Sequence, residues 1–290
     1  MKKNISLFLI LFLVIKISAQ QYFGIYSQIK ENTSQYVYAD ITNVRQGPGI
    51  NYPIIDKLTL GQEVIINNIF DNKYVYTQNG IRACWISVSY VKDGINKQGY
   101  VWEGNLTFNP MRRGNTKFIY GINAIKLNKK QYPTEKHHTQ YLYKVELKIL
   151  VEDKLIDKKI FYTDTEQSYT EANVYENLGL KDVKNIIRIS FEGEACGIPS
   201  YYYYFAWNGN KILDLPSRYG VGDAGIFNYS EKFIFPLEKG GKPNRIIKKI
   251  ESRWLEEGQE FTSYDDMSVE RKKEEFLWNG KNYKKIKKGL

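Results

Sequence analysis

Cysteine and histidine are the residue types in this chain that could carry nucleophilic chemistry. There are two cysteines, Cys84 and Cys196, and two histidines, His137 and His138. A catalytic thiol needs a nearby base and a setting that lowers its pKa, such as a helix N-terminus. Cys196 lies between strand-like segments, and both histidines precede it in a polar stretch. We therefore expect two buried free thiols and no enzyme.

The spacing of the acidic residues gives little support for carboxylate catalysis or for a metal site. Glu192 and Glu194 would share one face of a strand, which suits an acid pair for glycoside cleavage but equally an exposed strand edge. We favour the edge. The two histidines and two cysteines lack zinc-ligand spacing, and Asp223, Asp265 and Asp266 lack the spacing of a calcium loop. The sequence predicts no metal and no cofactor.

The tract Tyr201–Phe205 is the most unusual local feature of the chain. Alternation on a strand would place Tyr201, Tyr203 and Phe205 on one face, and Tyr202 and Tyr204 on the other. One set is expected to pack in a core. The other set either forms an exposed aromatic strip that stacks on sugar or peptide, or is covered as well.

The N-terminus has the order of a secretory signal. Lys2 and Lys3 precede an apolar run, Leu7–Ile15, and the small residue Ala19 follows. The run is about half of the ~20 residues that span a bilayer. We expect cleavage of residues 1–19, a periplasmic or extracellular location, and no transmembrane segment after cleavage.

Basic residues exceed acidic ones, with a net charge of +10 that falls by three when Lys2, Lys3 and Lys16 are removed with the signal. The basic residues are dispersed apart from a cluster at the C-terminal end, 281–288. Such a surface suits anionic wall polymers or headgroups, although charge runs are most often simply solvated. Export argues against nucleic acid as a partner.

Short runs rich in Ile, Val and Tyr, separated by Gly, Asn, Asp and Pro, predict an all-β protein. We expect a first unit over 36–108, a polar linker over 109–116, and a larger antiparallel β-domain over 117–290, either a sandwich or propeller-like. Two similar segments in the last unit, Phe205–Lys211 and Phe276–Lys281, contain Trp-Asn-Gly and predict two similar hairpins with type I′ turns.

An ordered set of motifs runs through the first unit. It begins with Asn43-Val44-Arg45 and Gly47-Pro48-Gly49, and continues with Tyr52-Pro53-Ile54-Ile55, Gly61-Gln62-Glu63-Val64, Trp85-Ile86-Ser87-Val88 and Gly99-Tyr100-Val101-Trp102. Alternation predicts that Val44 points into a core and Arg45 away from it. Gly47, Pro48 and Gly49 predict a tight turn between two strands.

These motifs resemble those of the bacterial SH3 (SH3b) family over about a quarter of the chain. The resemblance implies a small closed barrel and an exposed ligand groove, for which Asn43, Tyr52, Tyr74 and Trp102 are candidates. Each of the four residues could instead pack the barrel. The sequence departs from the family pattern at two insertions, Phe70–Ala83, with Asn79-Gly80 at its tip, and Ser89–Gln98.

Family members commonly attach exported proteins to cell-wall peptides or act as adaptors. We therefore expect an exported, non-catalytic binding protein whose partner is a peptidoglycan peptide or another envelope protein. The alternative is a cell-wall hydrolase with its active site in the C-terminal domain.

Overall fold

The computed structural model describes residues 25–26, 29–69, 73–128, 140–164 and 168–286. The all-β prediction is confirmed: three sheets contain the strands, and the helices of these ranges are two three-residue 3-10 turns, Glu103–Asn105 and Tyr264–Asp266. None of the described helices has the length and apolar character needed to cross a membrane. The expected signal peptide, 1–19, lies outside the described residues.

The first sheet contains seven strands and has the order β2-β5-β7-β8-β3-β4, with β6 paired to β7. These are β2 (Ser34–Tyr36), β3 (Ile41–Arg45), β4 (Ile54–Thr59), β5 (Glu63–Asn68), β6 (Val75–Gln78), β7 (Ile81–Lys92) and β8 (Ile95–Trp102). Alternate residues of one face enclose an apolar core that includes Val44, Leu58, Ile66, Ile86 and Val101. The expectation of a closed SH3-type barrel is wrong in one respect, because the end strands β2 and β4 do not pair with each other.

β4 is the last strand of the first sheet, and side-chain hydrogen bonds connect it to the β7–β8 hairpin. The carboxylate of Asp56 accepts hydrogen bonds from the ammonium groups of Lys92 and Lys97, and from the hydroxyl of Tyr90 at 3.2 Å. The hydrogen bond from Lys92 is the main cause that lowers the pKa of Asp56 in the folded protein. Burial and the adjacent carboxylate raise the pKa of Tyr90 to about 12. The extended hairpin β7–β8 is thereby tied to β4.

The second sheet has four strands in the order β12-β11-β10-β9. They are β9 (Met111–Arg113), β10 (Thr116–Asn128), β11 (Gln140–Val151) and β12 (Lys154–Thr163). The expected linker over 109–116 is therefore wrong, since it contains β9 and a turn into β10. The sequence of β9 hardly predicts a strand, because β9 buries one apolar side chain, Met111, and exposes Arg112 and Arg113.

The third sheet contains ten strands and extends to the C-terminal part of the chain. They are β1 (Ile25–Tyr26), β13 (Ser168–Glu176), β14 (Asn185–Gly193), β15 (Ser200–Trp207), β16 (Ile212–Asp214), β17 (Arg218–Asp223), β18 (Phe227–Ile234), β19 (Arg245–Trp254), β20 (Ser268–Trp278) and β21 (Tyr283–Lys285). All described pairs in this sheet are antiparallel except β1 with β13.

Two apolar cores lie on opposite faces of the third sheet. On one face, side chains such as Phe191 and Trp207 pack against Tyr120 and Leu147 of the second sheet, which is the face-to-face packing of a sandwich. On the other face, Ile186 and Ala206 pack with residues of the last strands, among them Phe233, Ile246, Phe276 and Trp278.

The two Trp-Asn-Gly hairpins have the same turn, as their similarity predicts. The Oδ1 atom of Asn208 accepts from the backbone N–H groups of Asn210 and Lys211, and Oδ1 of Asn279 accepts in the same way two and three residues on. In both hairpins the Asn side chain therefore caps the turn, and Gly is the first of the two central residues. The expected type I′ turn would have Asn and Gly as its two central residues, so that expectation is wrong here. At Asn79-Gly80 both residues have positive φ, 53° and 80°, as a type I′ turn requires.

Two buried lysines join the first sheet to the second. The ammonium of Lys148 donates to the carbonyl of Tyr38 at 3.1 Å and to Asp40 at 2.8 Å, and lies 4.8 Å from the centre of the Tyr38 ring. Lys117 repeats this arrangement with the carbonyl of Gly61, the carboxylate of Asp153 and the ring of Tyr36. These lysines surround a small apolar cluster of Tyr36, Tyr38, Ile119 and Leu150.

Replacing Lys148 with Met should lower the free energy of unfolding by about 3 kcal/mol, because the buried carboxylate of Glu146 would lose its buried cation and be left with the exposed Lys158 at 3.4 Å. Urea unfolding followed by circular dichroism measures the change. Lys159→Met is the control, since its pair with Asp214 is much more exposed and should cost at most about 1 kcal/mol. Equal costs would contradict the special role of Lys148.

Replacing Asp56 with Asn should lower the free energy of unfolding at pH 7 by about 1 kcal/mol. Since the pKa of Asp56 is lowered on folding, its carboxylate contributes stability above its unfolded pKa of about 3.9, and this contribution is lost as the pH falls towards the folded pKa. The gap between variant and wild type should therefore narrow between pH 5 and pH 2, in roughly the range where carboxylates titrate. A gap independent of pH would show that the charge of Asp56 does not stabilise the fold.

Candidate functional site

Arg45 is the centre of the candidate site on the first sheet. Val44 is fully buried and Arg45 lies on the opposite face of β3, which confirms the predicted alternation. Nη1 of Arg45 donates to the carbonyl oxygens of Ile50 and Tyr52, at 2.9 and 2.6 Å. The guanidinium also lies 5.8 Å from the centre of the Trp85 ring. One side chain thus fastens the loop over 46–53 to the sheet.

The loop over 46–53 contains a tight turn at Gly47–Gly49, where the glycines and the proline predict one. Gln46 N–H donates to the carbonyl of Pro53 at 3.0 Å, and Gly49 N–H to the carbonyl of Gly47 at 3.0 Å. The reason for glycine at position 47 is close approach, since a Cβ atom there would overlap the aromatic ring of Tyr52. At Gly49 the same atom would be 3.6 Å from that ring, an ordinary contact.

Half-exposed apolar side chains surround this loop. Ile50, Tyr52, Ile54 and Ile55 are 46% to 51% exposed, although they follow one another within six residues. We call Ile50, Tyr52 and Ile54 together with Arg45 the Arg45 face, since Ile54 pairs with Arg45, whereas Ile55 lies near Val44 and Gly99 on the other face. Exposed apolar clusters with a polar neighbour mark interaction sites more often than the rest of a protein surface.

The four residues predicted to bind a ligand have different positions. Asn43 is half-buried on β3, two residues before Arg45 and on the same face, and Tyr52 belongs to the Arg45 face. Tyr74 is half-buried on the inserted segment, and its carbonyl accepts from the backbone N–H of Trp85 at 2.8 Å. Asn43 and Tyr52 therefore flank Arg45. Tyr74 is instead adjacent to Trp85, whose ring Arg45 faces.

Trp102 is not an exposed ligand contact, and that prediction is wrong. It is 4% exposed, and its indole N–H donates to the carbonyls of Tyr76 and Ala83, both at 3.2 Å. The inserted hairpin β6–β7 covers it, with the ring of Tyr76 meeting Trp102 edge-on at 6.2 Å. Asn79-Gly80 marks the hairpin in the sequence, but no local pattern indicates which side chain its strands cover.

The inserted hairpin also reaches the second sheet. At its tip, the carbonyl of Asn79 accepts from the backbone N–H of Ile125 at 3.0 Å, and Gly80 approaches the backbone of Ile125 so closely that a side chain would not fit. The insertion therefore braces the first sheet against β10. It does not extend the Arg45 face.

The sequence did not single out Arg45, Ile50 or Ile54 as site residues. Arg45 was visible within the Asn-Val-Arg motif, but its contacts with the loop depend on how the turn closes. An isoleucine in a strand-like run such as Ile54 ordinarily predicts burial, so its exposure could not be expected from the sequence.

The residues considered for catalysis do not form a cluster among the described residues. Cys84 and Cys196 are not joined by a disulfide, and Cys196 is exposed between β14 and β15, so the expectation that both are buried is wrong. His137 and His138 lie outside the described residues. Glu192 accepts from the hydroxyl of Tyr169 at 2.8 Å, which raises the pKa of Tyr169 to about 12. No group of three or more potential metal ligands occurs in the described ranges.

The tyrosine tract is covered on both sides. Tyr203 lies 4.8 Å from Phe161 in one core, measured between ring centres, and Tyr204 lies 5.1 Å from Phe233 in the other. The guanidinium of Arg218 lies 3.7 Å from the centre of the Tyr202 ring. The second interpretation of this tract, a strand with both faces covered, is therefore confirmed.

Comparisons of this chain with protein-family models, with curated proteins and with solved structures give no match. The resemblance to the bacterial SH3 family thus rests on the motif residues alone.

Replacing Gly47 with Ala should lower the free energy of unfolding by about 1–3 kcal/mol, because the added methyl must displace the ring of Tyr52. Thermal or urea unfolding measures this cost. Gly49→Ala is the matched control, as its methyl would meet the same ring at ordinary distance and should cost much less. Similar costs for both variants would show that Tyr52 does not pack on Gly47.

Proposed function

We propose that this chain is an exported, non-catalytic binding protein, and that the Arg45 face binds a peptide of the cell wall or of an envelope protein partner. The half-exposed apolar cluster held in place by Arg45 is the observation that carries the proposal. The secretory signal order at residues 1–19 and the motif resemblance support the compartment and the class of ligand.

The chemistry of the Arg45 face suits a peptide. Both hydrogen bonds that the guanidinium makes with described residues use Nη1, so Nε and Nη2 can donate to peptide carbonyls or to a terminal carboxylate. Ile50, Tyr52 and Ile54 offer apolar area to side chains of the ligand. Tyr52 adds a large, rigid ring, a residue type that is enriched where binding energy concentrates.

The loop is preorganised for binding. The Arg45 hydrogen bonds and the packing of Tyr52 on Gly47 fix its conformation in the free protein. Binding therefore does not have to order this loop, and the entropy cost of association is smaller than for a mobile one.

Co-sedimentation of the mature protein with purified peptidoglycan, and cross-linking in the native compartment, test the two kinds of partner. Tyr52→Ala should weaken retention about tenfold, which corresponds to the roughly 1.4 kcal/mol expected of an aromatic contact residue. Ile95→Ala is the control, because Ile95 is even more exposed than Tyr52 but lies at the tip of the β7–β8 hairpin.

Failure of the folded protein to bind either partner, or equal binding by both variants, would contradict the proposal. So would clearing of a cell-wall substrate in a zymogram that disappears in Cys196→Ala, because that result would establish the hydrolase alternative.

A further inference from the structure

Three lysines lie side by side on adjacent strands near the C-terminal end of the third sheet. Lys232 on β18 is directly opposite Lys249 on β19, and Lys249 is directly opposite Lys273 on β20. All three side chains are exposed. Neighbouring strands are about 4.8 Å apart, so like charges in directly opposed positions repel and destabilise the sheet. We call these residues the lysine row.

Within the described part of the chain, carboxylates neutralise the row only in part. Among the described residues, Lys232 and Lys249 have no acidic side chain within ion-pair distance. Lys273 binds Glu275 at 2.9 Å, and the same carboxylate also binds Lys242 and Arg245, at 3.2 and 2.6 Å. Hydrogen bonds from Lys273, Arg245 and Lys242 lower the pKa of Glu275 to about 2. That carboxylate is therefore ionised and already fully shared.

The lysine row lines a surface depression with a volume of about 940 Å³. Three further cations line it, Arg271, Lys272 and Lys285, against two carboxylates, Glu251 and Glu274. Glu251 binds Arg271 at 2.8 Å, and Glu274 binds Lys285. The acidic residues are thus occupied by the outer cations, and the excess positive charge is concentrated on the lysine row.

We propose that this depression binds a phosphate-bearing polymer. A row of lysines presents separate point charges on flexible stems, which suits successive phosphates, whereas a single planar carboxylate is better matched by the fork of an arginine. This second surface is independent of the Arg45 face, which lies on the first sheet.

Long-chain inorganic polyphosphate is a suitable probe, with binding measured by isothermal titration calorimetry at several salt concentrations. The variant Lys232→Gln/Lys249→Gln/Lys273→Gln should bind at least about tenfold more weakly than wild type at low salt. Its salt dependence should be shallower by about 2 in the slope of log K against log salt, as expected for about three lost phosphate contacts at roughly 0.7 each.

The matched control is Lys154→Gln/Lys211→Gln/Lys239→Gln, which removes the same charge from exposed lysines outside the depression. It should bind polyphosphate with nearly the wild-type affinity and slope. The proposal is overturned if the wild-type protein does not bind, or if both triple variants weaken equally, which would indicate general charge attraction. It is also overturned if vesicles containing anionic phospholipid bind as tightly as polyphosphate and respond equally to the lysine-row variant.

Discussion

The attachment of the first sheet to the second depends on two lysine side chains that are buried on folding. Lys117 and Lys148 project from β10 and β11 and are 9% and 4% exposed. Each has a carbonyl, a carboxylate and an aromatic ring as partners, so the cost of burying an ammonium is offset by direct interactions. Because these carbonyls and rings belong to residues of the first unit, a displacement of that unit would remove them from both ammonium groups.

This constraint explains how the surfaces of the protein are arranged. The second sheet is covered on both faces, by the third sheet on its apolar side and by the first unit on the side that carries the lysines. The tip of the inserted hairpin at Asn79 adds a third point of attachment. The Arg45 face stays about half exposed in this arrangement, and the lysine row lies on the third sheet, so the two proposed binding surfaces are held on one connected scaffold.

Much of this could be read from residue types and their spacing, because it depends on local rules. Strand alternation placed Val44 inside and Arg45 outside, and Asn79-Gly80 marked a hairpin turn. What the sequence did not reveal depends on partners distant in the chain. Met111 begins a strand only because β10 lies beside it, and Trp102 is buried only because the inserted hairpin covers it. A buried lysine such as Lys148 has no local signature, since Tyr38 and Asp40, its partners in the first unit, are more than a hundred residues away.

Acylation of lysines by an amine-reactive ester, followed over time by mass spectrometry of the folded protein, tests the central claim most directly. Lys117 and Lys148 should react far more slowly than the exposed Lys154 and Lys239, and the difference should disappear in denaturant. Rapid modification of Lys117 and Lys148 in the native protein, at the rate of the exposed lysines, would contradict the docking of the first sheet on the second.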